Sequence, residues 1–223
     1  MPSRYVQRAE LFEAGARSEA TLPYGLTVQE VMRACEQVHG YLFEMNGHSV
    51  SMGFDRFEET LLGNTFAGML SELIVRAVST ESATLARNVR IGGHPDLIPI
   101  GLHAGDSVLR GDSGVEVKAS KQSGSWQGHN AEASWLLVFQ YAIDIATVPV
   151  EDRFPTEIVK VMCALLEERH WSFSGRNEGS RRTPTASILQ EGTDLLHASA
   201  VYERPGYVRN KDRLFALLRS ATA

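Results

Sequence analysis

Gly-Val-Glu-Val-Lys-Ala-Ser, at residues 114–120, is the segment from which the fold prediction starts. It is short, alternates apolar with charged residues and begins with glycine, which is typical of a β-strand. Side chains alternate between the two faces of a strand, so Glu116 and Lys118 share one face. Val115 and Val117 occupy the other face, which we expect to lie in the core.

Segments on either side of this strand predict the rest of the sheet and its helices. Residues 97–102 and 135–148 are rich in branched and aromatic residues and are predicted to be strands. Apolar residues spaced three and four apart predict helices over residues 27–45, 54–78 and 155–169. This order of elements indicates an α/β fold, in which a central mixed β-sheet is flanked by helices.

Length and composition exclude several classes of protein. The chain has 223 residues, a net charge of −5 and two cysteines, so it is neither a polybasic nucleic-acid binder nor a disulfide scaffold. Its longest apolar run is far short of the ~20 residues of a membrane helix, and the first residues do not resemble a signal peptide. We expect a soluble cytoplasmic protein that does not enter a membrane.

The chain fits a single domain over residues 1–223 with three parts. A helical part over about 1–80 precedes a catalytic sheet over about 88–150, and a C-terminal helix with a basic region covers about 155–223. Residues 169–223 hold nine basic and five acidic side chains, although the chain as a whole is acidic. A positive end of this kind can steer a polyanion, and a solvated basic tail is the alternative.

Asp96, in the segment HPDLI, lies just before the predicted strand over residues 97–102. If this strand pairs with the one carrying Glu116, the separation of 20 residues brings Asp96 beside Glu116. Mg²⁺ prefers oxygen ligands and commonly uses one or two carboxylates, together with waters and a substrate phosphate. A metal there polarises a phosphodiester and lowers the pKa of a bound water. Lys118 is placed to orient or deprotonate that water, or to stabilise negative charge.

These residues resemble the motif of the PD-(D/E)xK nuclease superfamily, which includes many type II restriction endonucleases, Holliday junction resolvases and repair nucleases. The match consists of Pro95-Asp96 and Glu116-Val117-Lys118, with 19 residues between the two acidic residues. The resemblance implies that Asp96 and Glu116 bind the metal and that Lys118 is the catalytic lysine. It also implies a restriction-endonuclease-like core, which agrees with the predicted order of elements.

Many members of this superfamily add a carboxylate from an upstream helix. On a helical wheel, Glu59 falls on the apolar face of the second predicted helix, whereas Glu58 and Glu72 lie at the edge of that face. We expect Glu59 to join the catalytic residues. A break of the helix at Gly63 would make Glu72 an equal candidate, and ordinary surface glutamates are the alternative.

Two polar segments are candidates for contact with DNA. Four side chains after the Glu116 strand can donate hydrogen bonds to phosphates or base edges, namely Lys121, Gln122, His129 and Asn130. Three arginines of the basic region can bind guanine or phosphate through their guanidinium groups, namely Arg176, Arg181 and Arg182. A polar hairpin and a solvated basic loop, neither of which binds a ligand, are the alternatives.

We therefore predict a Mg²⁺-dependent endonuclease of restriction type that hydrolyses double-stranded DNA, with Mn²⁺ able to replace Mg²⁺. Cutting both strands usually requires two active sites, so we expect a homodimer. One alternative is a repair or recombination nuclease that recognises branches or ends, and another is a non-catalytic nucleic-acid-binding protein on the same fold. A third is an exposed strand on which Glu116 and Lys118 are merely solvated. The resemblance favours DNA, but the sequence leaves RNA open.

Overall fold

The computed structural model describes residues 9–128, 133–149, 152–173, 186–207 and 214–215. Its α-helices are Ala9–Gly15 (α1), Val28–Ser51 (α2), Phe57–Thr60 (α3), Gly63–Glu81 (α4) and Gln190–Ala198 (α5). Its strands are Leu85–Arg87 (β1), Leu97–Pro99 (β2), Val115–Ser120 (β3), Gln127–Gly128 (β4), Ser134–Ala142 (β5), Glu157–Leu166 (β6), Trp171–Phe173 (β7), Ala186–Ile188 (β8) and Ala200–Glu203 (β9).

Six of the strands form a mixed main sheet in the order β1-β2-β3-β5-β6-β9. Neighbouring strands are antiparallel except β3 and β5, which run parallel with Glu116 opposite Leu136 and Lys118 opposite Val138. The remaining strands form a small antiparallel sheet in the order β4-β8-β7. The α/β class and the mixed central sheet predicted from the sequence are confirmed.

The two faces of the main sheet are covered by different layers. Val115 and Val117 of β3 are buried in the larger hydrophobic core, in which α2 and α4 pack on the sheet. Leu136 and Val138 of β5 are buried on the opposite face, against residues of the small sheet and α5. Because Glu116 and Lys118 are in register with these two β5 residues, they also face the small sheet. The predicted alternation of β3 is confirmed.

The segment predicted as a helix over residues 155–169 is instead the strand β6, so the C-terminal helix assigned to this part is wrong. β6 lies between β5 and β9 and is buried on both faces. Val161 and Cys163 belong to the core under the helices, whereas Met162 and Ala164 belong to the core under the small sheet. An apolar run without alternation has the same appearance in a strand of this kind and in a buried helix. The main sheet therefore extends well beyond residue 150, to β9.

The helical part follows the sequence prediction more closely. Thr27 caps α2 with a capping box, in which its side chain accepts from Glu30 N and its own N–H donates to the Glu30 carboxylate. α2 continues to Ser51, past the predicted end at residue 45. The second predicted helix is divided into α3 and α4 just before Gly63, which changes the helical phase of every residue before the break.

Gly114 permits the close packing of the chain that leads into β3 against the chain that leads into β2. Its φ is +152°, and a Cβ atom here would lie 2.2 Å from the Leu97 carbonyl oxygen. We expect Gly114→Ala to lower the free energy of unfolding by more than about 1 kcal/mol, measured by urea denaturation. In the control Gly47→Ala, an exposed position within α2 with open space, stability should rise by about 0.5 to 1 kcal/mol. Equal stability of Gly114→Ala and the parent would contradict this packing.

Candidate active site

Asp96 lies where β2 and β3 separate. The two strands pair at Leu97 and Val115, and continuing this antiparallel register places Asp96 opposite Glu116. Beyond that point, the Asp96 carboxylate takes the place of a neighbouring strand, because its Oδ2 accepts a hydrogen bond of 2.9 Å from Val117 N. The structure therefore brings Asp96 and Glu116 together through the strand pairing that the sequence predicts.

On the same edge of β3, the backbone N–H of Ala119 is also paired with a side chain rather than with a strand. Ala119 N donates a hydrogen bond of 2.9 Å to Ser71 Oγ, which belongs to α4. Backbone N–H groups buried without a partner are costly, so Asp96 and Ser71 together allow β3 to end its pairing early on this edge. The resulting gap leaves the Asp96 carboxylate accessible from the face that carries Glu116. Sequence reasoning did not identify Ser71.

Burial and a second carboxylate raise the pKa of Asp96 to about 7. Burial is the larger cause and the negative charge of Glu116 is the next, while the hydrogen bond from Val117 N acts in the opposite direction. The charge of Glu72, on α4, raises this pKa further. Two carboxylates held this close repel each other when both are ionised, and a cation between them would relieve that repulsion.

His94 forms a second contact in this cluster. Its Nδ1 lies 2.9 Å from Glu116 Oε2, a buried oxygen that makes no hydrogen bond of standard geometry with a described residue. The charge of His94 also lowers the pKa of Asp96. Sequence reasoning did not place His94 in the site, although its position two residues before Asp96 was a usable signal, because both residues lie on the segment that leads into β2.

Lys118 shares the face of Glu116 and is partly buried. Burial lowers the pKa of its ammonium group, and the charges of Glu116 and Asp96 oppose that shift. A lysine of this kind loses its proton more readily than an exposed one, yet remains near two anionic groups. It is suited either to accept a proton or to stabilise negative charge that develops beside it.

The three residues line one cleft of about 400 Å³. Its floor is formed by Asp96, Glu116 and Lys118. The rest of the lining comes from the small sheet with the segment before it, and from the segments that precede β2 and β3. These residues include Trp126, Gln127, Trp171, Ile188, Gly92, Gly93, Leu109 and Arg110.

This cleft continues along the end of β3. An adjoining cavity shares Lys118, Trp126 and Gln127 with it, and a third cavity shares Gln122 and Ser125 with the second. The third cavity is also lined by Lys121 and by polar residues of α5. The three cavities form a groove that passes over Lys118 and ends at α5. Lys121 and Gln122, both predicted to contact DNA, line this groove.

The other predicted DNA contacts lie outside the residues that the structure describes. This is the case for His129 and Asn130 in the segment between β4 and β5, and for the arginines of the basic region, Arg176, Arg181 and Arg182.

The upstream glutamates occupy different environments. Glu59 lies in an arginine cluster, where its Oε1 accepts hydrogen bonds from Arg56 and Arg153. Glu58 is buried and bonded to Asn46 Nδ2. Glu72 is the upstream glutamate whose charge acts on Asp96, and its carboxylate also pairs with Arg87 at 3.0 Å.

The helical-wheel argument for Glu59 therefore loses its basis, whereas the charge of Glu72 acts on Asp96. The wheel treated residues 54–78 as one helix, but the chain breaks between α3 and α4. Glu59 lies before the break, so a helical wheel drawn through the apolar residues of α4 does not predict the direction in which Glu59 points. Its contacts with two arginines give it a structural role.

The donor set fits a hard cation better than zinc. Among the described residues, no group of three or more His, Cys, Asp or Glu side chains is arranged to hold a metal ion. Asp96 and Glu116 supply two carboxylates, and Mg²⁺ commonly takes only one or two from the protein. Besides burial, repulsion between the ionised Asp96 and Glu116 carboxylates raises the pKa of Asp96, and a bound cation would relieve that repulsion.

Comparisons with known proteins leave this geometry as the main basis for assigning a function. No protein-family model, curated protein or solved structure matches the chain. Among the described helices, none has both the length and the apolar character needed to cross a bilayer.

Proposed function

We propose that this chain is a Mg²⁺-dependent endonuclease of the PD-(D/E)xK type that hydrolyses double-stranded DNA. One observation carries the proposal: Asp96 and Glu116 lie side by side where β2 and β3 separate, with Lys118 on the same face and in the same cleft. Two carboxylates and an amine in this arrangement match the requirements of phosphodiester hydrolysis.

Asp96 and Glu116 would hold the metal, which when bound polarises the scissile phosphate and makes a water more acidic. The partly buried Lys118 accepts a proton from the attacking water or stabilises the charge that forms on it. The oxygen of that water bonds to phosphorus while the bond from phosphorus to the leaving oxygen breaks. The leaving oxygen takes a proton from solvent water, which gives one phosphate monoester and one hydroxyl end.

The shape of the groove supports a polymeric substrate. The groove extends past Lys118 toward α5, so it can hold nucleotides on both sides of a cut bond. Arg110 is exposed on the lining of the cleft and can contact phosphates. A restriction-type enzyme would cut both strands as a homodimer, since two-fold symmetry of the protein matches that of the duplex.

A nuclease that recognises DNA branches or ends is the second candidate, because the same site would serve both functions. A single assay distinguishes the two: purified protein is incubated with plasmid, linear and branched DNA in Mg²⁺, and the products are separated on a gel. Discrete fragments of linear DNA support restriction-type activity, and selective cutting of branched DNA supports the repair type. Intact DNA of every kind, in Mg²⁺ and in Mn²⁺, would refute the nuclease proposal and favour a non-catalytic binding protein.

Metal binding should depend on pH in a range set by Asp96. Its pKa of about 7 means that protons compete with the metal below pH 7. We expect Mn²⁺ affinity, measured by isothermal titration calorimetry, to be constant above about pH 7.5 and to fall by up to about tenfold per pH unit below about pH 6.5. An ordinary aspartate would show this decrease only below about pH 4.

The same titration in two buffers of different ionisation enthalpy should detect a released proton at about pH 6. Glu116→Gln is the matched variant, because it removes one ligand and also the charge that raises the pKa of Asp96. It should bind Mn²⁺ weakly and release fewer protons. An affinity in the parent protein that stays constant from about pH 8 to about pH 5 would contradict competition between the metal and a proton on Asp96 in this range.

A further inference from the structure

A tight turn projects an isoleucine into solvent beside the catalytic cleft. Gly93 N donates a hydrogen bond of 2.9 Å to the Arg90 carbonyl, and Gly92 has a φ of +68°, as the third residue of a type II turn requires. Ile91 occupies the second position of this turn and is 97% exposed. The turn geometry explains Gly92, but it gives no reason for an isoleucine at its tip. We call residues 90–93 the Ile91 turn.

The Ile91 turn is held in place by the side chain of Asn88. Its Nδ2 donates to the carbonyls of Pro95 and Val108, at 3.0 and 2.9 Å. Its Oδ1 accepts from Arg90 N and Val108 N, at 3.1 and 3.2 Å. Four hydrogen bonds from one side chain join the turn to the segment before Asp96 and to the segment before β3. The position of the isoleucine relative to the cleft is therefore fixed before any substrate binds.

The surroundings of Ile91 combine apolar surface with positive charge at the rim of the cleft. Val89 and Leu109 are 62% and 53% exposed, and Leu109 lines the cleft together with Gly92 and Gly93 of the turn. Arg90 and Arg110 are exposed beside these residues. An apolar tip flanked by arginines fits a nucleic acid, whose base steps are apolar and whose phosphates are anionic.

We propose that Ile91 inserts between adjacent base pairs of the duplex bound over Asp96 and Glu116, while Arg90 and Arg110 contact the phosphates on either side. This inference rests on the proposed nuclease function and makes it more specific. The substrate is then a duplex that bends at the site of cutting, and steps that unstack easily are cut faster. Such steps include pyrimidine–purine steps and mismatches.

The test uses relaxed closed-circular plasmid, because insertion of a side chain between base pairs unwinds DNA. The protein carries Lys118→Met so that the plasmid stays intact, and a topoisomerase removes the compensating supercoils. We expect bound protein to lower the linking number, and the additional change Ile91→Ser to abolish that shift. Because the arginines remain, plasmid affinity should fall by no more than about tenfold.

Ile145→Ser is the matched control, since Ile145 is also an isoleucine, is 71% exposed and does not line the cleft. It should leave the linking-number shift unchanged. In the protein with Lys118 intact, Ile91→Ser should cut a matched duplex about tenfold more slowly and a duplex with a mismatch at the cut site at nearly the parental rate. That rescue is not expected if the substitution merely disturbs the fold.

Four outcomes would overturn the inference. Plasmid binding without a linking-number shift in the parent, or an equal shift with Ile91→Ser, refutes insertion but leaves the nuclease proposal intact. If Ile91→Ser converts a dimer to a monomer in sedimentation without DNA, the Ile91 turn contacts a second copy of the chain instead. Absence of plasmid binding together with absence of cleavage refutes both proposals.

Discussion

Replacing Lys118 with methionine is expected to lower the rate of Mg²⁺-dependent DNA cleavage by about 10³-fold, since general acid–base groups commonly contribute 10²- to 10⁴-fold. Methionine keeps the length and the apolar stem of lysine, so the packing of β3 is preserved. Only the amine beside Asp96 and Glu116 is lost. The rate is measured under single-turnover conditions with saturating protein, which separates the chemical step from binding.

Two further variants show how Lys118 acts. Lys118→Arg keeps a positive charge that does not dissociate, so a loss as large as that of methionine indicates a proton acceptor, and partial activity indicates charge stabilisation. Lys121→Met removes the next lysine of the chain, whose ammonium lies beside Gly63 of α4, and should leave the single-turnover rate unchanged. Cleavage by Lys118→Met at the parental rate would remove this residue from the mechanism.

Replacing Asp96 with asparagine should abolish cleavage and at the same time stabilise the fold. The amide oxygen can still accept the hydrogen bond from Val117 N, while the repulsion with Glu116 disappears. Loss of a metal ligand is expected to lower the cleavage rate by at least about 10³-fold. Most substitutions destabilise a protein, so a gain of stability with a complete loss of activity is a distinctive result.

The sign of the stability change follows from the raised pKa of Asp96. Between about pH 4 and pH 7 the folded protein holds a proton on Asp96 that the unfolded chain has released, so stability falls as the pH rises through this range. Above pH 7 the full penalty is present. Asp96→Asn removes it, and we expect a gain of up to about 4 kcal/mol at pH 8 and almost none near pH 4.

Urea denaturation at both pH values, with and without Mn²⁺, measures this effect. Mn²⁺ should stabilise the parent protein but not Asp96→Asn, because only the parent retains both carboxylates. Asp55→Asn, at an exposed aspartate, is the control and should change neither the pH dependence nor the response to Mn²⁺. A destabilised Asp96→Asn protein at pH 8 would contradict the repulsion that we infer between Asp96 and Glu116.

Local features were predictable where the sequence signal is itself local. The capping box at Thr27 and Glu30 involves residues three apart, and the alternation of β3 is visible because only one of its faces is fully apolar. The proximity of Asp96 and Glu116 was also predictable, because the strands that carry them are close in the sequence and pair as antiparallel neighbours. These are the features on which the proposed function depends.

Features that depend on tertiary packing were not predictable in the same way. β6 was predicted as a helix because burial on both faces removes the alternation that identifies a strand. The helical-wheel argument for Glu59 over Glu72 loses its basis because one break between α3 and α4 changes the helical phase. Ser71 reaches the site through a contact that no spacing rule describes, and His94 was missed although it lies only two residues before Asp96.

The central claim is that Asp96 and Glu116 hold one divalent cation beside Lys118. Diffraction from a crystal soaked in Mn²⁺, recorded where manganese scatters anomalously, tests it most directly. We expect an anomalous peak within about 2.3 Å of a carboxylate oxygen of each of these two residues. A protein that cleaves DNA in Mn²⁺ but shows its only manganese peak away from both carboxylates would contradict the account.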